Sequence, residues 1–519
     1  MHRLVIGSVT LIGLAGVAVI AGYLFLFAAG ADRAATLAPA HSAVYVNVYL
    51  QPSTGQQMNL SSLIGRLPGF ADEAALDTKV DQIVQNLLSG TGIDYREQVK
   101  PWLGDQLAVA AWPIGTDATA SEVVVIAQVR DQAAAESALA DLAAEDGGVE
   151  ARTYGGVELQ VGTTTTYAFV EGMLVAGPSP EAIEDVVDAG GDAESLAEQQ
   201  DFRDAMDGVS ADHLASVFVD LAGLAEASGA ESQLQGWTTA TAVLVAEQDG
   251  LRLSGSAPHA AEGEPAGSAA ATPTDRVATL TEWMPEGTLA ELVVFGLRGI
   301  LEDAEAAVTS VPEGEELGST LDTLRAVAAF GLGIDLDQDV LPLLEGEVAL
   351  AIGALEGGMP TSGQLLLRPD DPEPVAETLA NLSGRLEGIG ATLSTETVGT
   401  VEVTSVAVPD LGGAAYAVSD GVVIIGLSAA DVRAAIEANE AGTTLSASDA
   451  YTRSFTATGA HGGTEIYIDV AALADSAGDL LALPDDARDI LSGIGTFALT
   501  LPSRDDQIEF HAVLTVDEP

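Results

Sequence analysis

The sequence predicts an α+β fold: two tandem copies of one mixed, largely antiparallel sheet-plus-helices unit after an N-terminal transmembrane helix. Three observations predict it. The segment Val217-Phe218-Val219-Asp220-Leu221 returns as Ile466-Tyr467-Ile468-Asp469-Val470, displaced by 249 residues (469 − 220). The same displacement carries Phe202 onto Tyr451, Tyr167 onto Tyr416, Gly172 onto Gly421 and Gly177 onto Gly426, with no gap from Tyr167 to Gly229. Short β-branched runs alternate with helical stripes and glycine-centred hairpin turns. An unbroken apolar run, Leu4 to Gly30, opens the chain.

That run exceeds the roughly 20 apolar residues that cross a bilayer as a helix. Residues 4–30 are therefore expected to form a transmembrane anchor. Ala29-Gly30-Ala31 has the small-x-small form of a cleavage site, but a cleavable signal core is usually only about 7–15 residues long. Arg3 is the full positive charge ahead of the run and favours a cytoplasmic N-terminus with the body outside.

Behind the anchor the predicted order is a first α+β unit at 37–257, a linker and lead-in at 258–283, and a second unit at 284–516. Pro258 to Thr274 is small, polar and proline-punctuated, without apolar periodicity. Each unit opens alike. Leu37-Ala38-Pro39 leads to the strand-like Ala43 to Leu50, and Trp283-Met284-Pro285 leads to Leu289 to Phe295. Helical stretches are expected at Leu76–Leu88 and Leu321–Leu332, each followed by Gly-Ile-Asp (Gly92 to Asp94, Gly333 to Asp335). Strands are expected at Gln106–Trp112 and Glu347–Ile352, then at Glu122–Gln128 and Gln364–Leu367. The stripes Ala135, Leu139, Leu142 and Val375, Leu379, Leu382, Leu386 mark helices after them. Two strands follow in each copy, with Glu171-Gly172 and Asp420-Gly421 mid-run as hairpin turns. The strand–helix–hairpin–helix order suggests a split βαβ-like core.

The chain has 519 residues and a net charge of −59, from 78 acidic and 19 basic residues. Such a charge repels phosphate backbones, so nucleic acid is excluded as a partner. Abundant acid with scarce lysine, at Lys79 and Lys100 alone, fits salt adaptation; a solvated acidic surface from compositional drift is the alternative. The sequence has no cysteine, which excludes disulfides, thiolate metal sites and cysteine nucleophiles.

Several residues invite a chemical role. Asp220 and Asp469 end equivalent strands and could serve as ligand or base, but each also stands where a helix cap is needed. Ser179 and Ser428 occupy one duplicated corner. Gly177-Pro178-Ser179-Pro180-Glu181 lacks the second glycine of a nucleophile elbow, while Ser428 and Asp431 have capping-box spacing. Asp335-Leu336-Asp337-Gln338-Asp339 starts like a calcium loop, but Val340 and Gly346 stand where glycine and a bidentate acid are required. His213 and His461 read as loop polar residues, and no histidine has a histidine partner at i+4. Neither a phosphate-binding loop nor a dinucleotide fingerprint occurs. Catalytic, cofactor-binding and metal residues are accordingly assigned to none.

Three blocks carry a family resemblance: Leu37-Ala38-Pro39-Ala40-His41-Ser42-Ala43-Val44-Tyr45, then Gly92-Ile93-Asp94 with Val99-Lys100-Pro101-Trp102-Leu103-Gly104, then Gly172-Met173-Leu174-Val175-Ala176-Gly177 with Ser179. Together they resemble an uncharacterised bacterial envelope family with an N-terminal membrane segment, catalogued as domain of unknown function 3352. The resemblance covers roughly Leu37 to Leu514. It implies membrane attachment and an extracytoplasmic body, and supplies no activity or catalytic residue. Leu343 stands where the first copy has Trp102, so the second copy has drifted. The expectation is a non-catalytic binding or scaffold protein of the cell envelope. A carrier of an apolar ligand between the two units is the alternative, and a hydrolase the third reading.

Overall fold

Antiparallel strands, many joined by hairpin turns, build most of this chain. The computed structural model describes residues 32–517 apart from 69–93 (Gln85 excepted), 115–116, 146, 192, 210–211, 229–235, 259–275, 303–334, 358, 373–374, 389, 409–411, 478–490 and 505–506. The chain divides at 265/266 into an N-terminal and a C-terminal unit.

The N-terminal unit has strands β1 (Val44–Tyr49), β2 (Leu103–Ile114), β3 (Asp117–Val129), β4 (Glu150–Tyr154), β5 (Val157–Val161), β6 (Thr166–Val170), β7 (Met173–Gly177), β8 (Ala215–Asp220), β9 (Thr239–Ala246) and β10 (Gly250–Pro258). Its helices are α1 (Thr54–Arg66), α2 (Gln132–Glu145), α3 (Pro180–Ala189), α4 (Gln200–Asp207) and α5 (Leu221–Ser228). The strands lie in the order β10-β9-β8-β1-β2-β3-β7-β6-β5-β4, every neighbour antiparallel. The inward residues Tyr45, Val124, Ile126, Val175 and Phe218 form its core with Ile183 and Val186 of α3. Full burial of such side chains contributes about 1.5–3 kcal/mol each.

The C-terminal unit has strands β11 (Ala290–Phe295), β12 (Glu347–Glu356), β13 (Met359–Arg368), β14 (Thr392–Val398), β15 (Val401–Val408), β16 (Gly412–Ser419), β17 (Val422–Gly426), β18 (Thr464–Asp469), β19 (Ile494–Leu501), β20 (Ser503–Arg504) and β21 (Gln507–Val516). Its helices are α6 (Val375–Gly388), α7 (Ala429–Ala441), α8 (Asp449–Thr458) and α9 (Val470–Ala477). The order is β21-β19-β18-β11-β12-β13-β17-β16-β15-β14, again antiparallel throughout, with β20 paired to β21. Strand β17 is covered on both faces. Val422 and Ile424 join the core under α7 and α8, while Val423 joins a second cluster with Val375 and Leu379 of α6. Its continuous apolar run is the pattern that two-sided burial requires.

Both hairpins turn at the expected dipeptides. Glu171 (φ 49°) with Gly172 (φ 81°), and Asp420 (φ 49°) with Gly421 (φ 77°), all take the left-handed conformation of a type I′ turn. The chain strands before and after α2, β3 and β4, run in the same sense but are separated by three strands, β7, β6 and β5. The predicted split βαβ-like core is therefore wider than that motif, because a four-strand meander returns through the gap. Strands β4 and β14 are also additions to the expected order.

The lead-ins belong to the units' cores, ahead of the predicted starts at 37 and 284. Ala34 is 0 % exposed in the first, and Leu280, at 0 %, packs into the second. Each lead-in is held by an isolated bridge, Pro39 to Ser195 and Pro285 to Thr444. Among the described residues no helix is long and apolar enough to cross a membrane. The predicted anchor at 4–30 lies outside them, as do the Leu321–Leu332 helix and, but for Gln85, the Leu76–Leu88 helix.

Candidate functional site

Strand ends and helix starts absorb the residues singled out for chemistry. Asp220 Oδ1 accepts the Gly223 amide at 2.8 Å, and Asp469 Oδ1 accepts the Ala472 amide at 2.9 Å. Each carboxylate thus satisfies a first-turn amide that the helix itself leaves open. Ser179 Oγ accepts the Ala182 amide at 3.1 Å and donates to Glu122 at 2.9 Å. Ser428 Oγ caps α7 through the Asp431 amide and donates to the Asp431 carboxylate at 2.7 Å. Ser362 donates to the same carboxylate, also at 2.7 Å.

In the acidic run at 335–339, Asp335 caps a single π-helical turn, Leu336–Val340. Asp335 Oδ1 accepts the amides of Asp337 and Gln338, both at 3.1 Å, and Asp339 accepts the Asp335 amide at 2.9 Å. Asp339 also pairs with Arg385 of α6. Asp94 makes the matching turn by accepting the Glu97 amide at 3.1 Å. No group of metal-ligating side chains is found among the described residues. His213 lies in the loop just before β8, as expected, but its ring is buried there. It is 6 % exposed, with its ring centroid 5.4 Å from that of Tyr49. His461 is exposed.

One concave feature stands out. A groove of about 370 Å³ runs between α6 and the β15–β16 hairpin. Leu379, Leu382 and Leu386, three of the four α6 stripe residues, form one wall, and Val406, Val408 and Ile425 line the sheet side. Its polar feature is the Ser383–Tyr416 hydroxyl pair at 2.7 Å. Small-molecule sites are usually apolar clefts of roughly 300–1,000 Å³ with a few polar groups.

The second feature is a set of buried carboxylates that sequence reasoning missed. In the N-terminal unit Asp32 accepts from Tyr45 Oη at 2.7 Å, Gln106 Nε2 at 2.7 Å and the Ala35 amide at 3.1 Å. Burial raises its carboxyl above the ordinary aspartate value, against these three bonds, which lower it. In the C-terminal unit Glu347 ties the lead-in turn to β12 by accepting the Thr279 and Leu280 amides at 2.6 and 2.7 Å. Glu465 accepts from Tyr451 Oη at 3.2 Å. Glu291, between them on β11, has both oxygens without a hydrogen-bond partner. A signal existed: an acid on the same strand alternation as Val293 and Phe295 faces the core.

The chain belongs to the family described as "Protein of unknown function (DUF3352)", whose model matches residues 4–515. No curated protein matches it. Among solved structures it is similar to crystal form IV of TP0453, at 10 % identity and a TM-score of 0.25, covering 43 % of this chain and 79 % of that one. Crystal form I gives 11 % identity and a TM-score of 0.24, covering 46 % and 81 %.

Proposed function

We propose that this chain is a membrane-anchored, extracytoplasmic protein of the bacterial cell envelope that binds or scaffolds without catalysis. Its body is two tandem copies of one α+β unit, joined near residues 258–283. The shared strand order and the 249-residue displacement support the duplication. The observation that carries the non-catalytic reading is the use made of Asp220, Asp469, Ser179 and Ser428: all four accept backbone amides at helix starts. Duplicated caps serve two folds, whereas one site would suffice for chemistry.

The apolar run of residues 4–30 is the membrane partner. Asp32 follows it almost at once and is bonded into β1 and β2, so a retained anchor holds the body at the membrane without a spacer. The test is labelling with a serine-hydrolase probe alongside cross-linking in intact cells. Cross-links to envelope proteins with no probe labelling are expected, and labelling at Ser179 or Ser428 contradicts the reading.

A second reading is carriage of an apolar ligand, here within the C-terminal unit rather than between the two units as the sequence suggested, and the groove between α6 and β15–β16 supports it. Organic extraction of purified protein should then release an apolar molecule at near-equal stoichiometry. Leu382→Asp should empty the groove.

A further inference from the structure

Glu291 has no partner, and its surroundings explain why that matters. It is 3 % exposed, and the residues opposite it on β12 and β18 are the core residues Ala351 and Tyr467. The groups facing it come from every packed element. Strand β12 brings Glu347 (5 % exposed), β18 brings Glu465 (3 % exposed) and Tyr467, and α8 brings Tyr451. Arg368 of β13 lies opposite Glu347 in the strand register, its Nη1 donates to Thr279 Oγ1 at 2.6 Å, and it is not among the charges acting on Glu291. A charge left unpaired in an apolar interior is strongly unfavourable, and a carboxylate escapes that cost by taking up a proton.

We propose that Glu291, Glu465 and Glu347 form a proton-linked clasp: with its proton Glu291 lets α8 and the Leu280–Trp283 turn close on the sheet, and without it they loosen. Both tethers end on a carboxylate beside Glu291. Tyr451 of α8 holds Glu465, and the Thr279 and Leu280 amides of the turn hold Glu347. A charge on Glu291 would bear on both tethering carboxylates at once. The electrostatics agree, since burial lifts the Glu291 carboxyl well above the ordinary glutamate range and Glu465 and Glu347 push it the same way. A group raised on folding contributes stability that is full below its unfolded value and lost as pH climbs through its folded value. The clasp is thus closed in acid and opens toward alkali.

Amide hydrogen exchange of the full-length chain in detergent tests this, with rates at pH 5 and pH 8 corrected for intrinsic exchange. Protection of Leu280–Trp283 and of α8 should fall at pH 8, by up to about tenfold per pH unit, the ceiling for one proton. Glu291→Gln should keep equal protection at both pH values. Equal protection in the unsubstituted chain, or an undiminished fall in Glu291→Gln, overturns the proposal. Infrared spectroscopy follows the proton itself. A carboxylic-acid carbonyl band present in the unsubstituted chain and absent from Glu291→Gln should vanish with rising pH in step with the lost protection. Protection lost with no such band vanishing overturns the proposal equally.

Discussion

Tyr45 and Glu291 hold the same place in their sheets. Tyr45 lies opposite Ala110 and Phe218, and Glu291 lies opposite Ala351 and Tyr467. The Tyr45 hydroxyl reaches the Asp32 carboxylate at 2.7 Å, whereas the Glu291 carboxylate reaches no partner. One position therefore supports a buried acid in the first unit and is a buried acid in the second.

Tyr45→Phe should destabilise the N-terminal unit by about 1–3 kcal/mol, the usual cost of leaving a buried polar group short of a partner. The Tyr45 bond lowers the Asp32 carboxyl, so its loss raises that value further. The deficit should then grow as pH rises through the folded value of Asp32, because the ionised carboxylate needs the donor most. Denaturant melts at a series of pH values measure it. A deficit that is the same throughout would mean that the Tyr45 bond does not favour the ionised form of Asp32.

Asp220→Asn and Asp469→Asn should be nearly neutral, since asparagine caps about as well as aspartate. The alanine variants should cost about 0.5–2 kcal/mol at either site. Thermal melts of all four variants decide it. Loss of function on Asp→Asn with stability intact, at one site alone, would indicate a ligand or base.

The hairpin turns offer a test in backbone terms. Gly172→Ala should cost about 1 kcal/mol or more, because a Cβ is disfavoured at φ 81°. Glu171→Asn should be stabilising, because asparagine tolerates the left-handed region better than glutamate does. A melt in which both substitutions act in the same direction would contradict the turn assignment.

Salt should stabilise the chain. A net charge of −59 repels itself, and the Debye length shrinks from about 30 Å at 0.01 M to about 3 Å at 1 M. The melting temperature should rise clearly between 10 mM and 1 M NaCl. A flat or falling response would mean that the acidity is compositional drift on a well-solvated surface.

Much of this fold was legible because it rests on local chemistry. The Glu171-Gly172 and Asp420-Gly421 turns, the Val375–Leu386 stripe and the capping residues each state their structure within a few positions. Strands β4 and β14 were not legible. Glu150-Ala151-Arg152-Thr153-Tyr154 is almost wholly exposed and lacks apolar alternation, and its pairing with β5 is set by the sheet rather than by its own sequence. The groove was half legible, since the α6 stripe was evident but the hairpin it faces was not assigned to it. The buried acids were hidden by a local pattern that misleads. On β11 the more apolar Leu292 is 37 % exposed while Glu291 is 3 % exposed, so tertiary packing chose the face. The burial of His213 is likewise set by packing, since its loop position says nothing of the Tyr49 ring beside it.

The most direct test of the account is digestion of intact cells that express the full chain, followed by sequencing of the mature N-terminus. The anchored, outward-facing arrangement predicts that added protease degrades everything after Asp32 without cell lysis, and that the untreated chain still carries residues 4–30. A body protected until the cells are broken would contradict the orientation. A mature chain beginning at Asp32 would contradict the anchor.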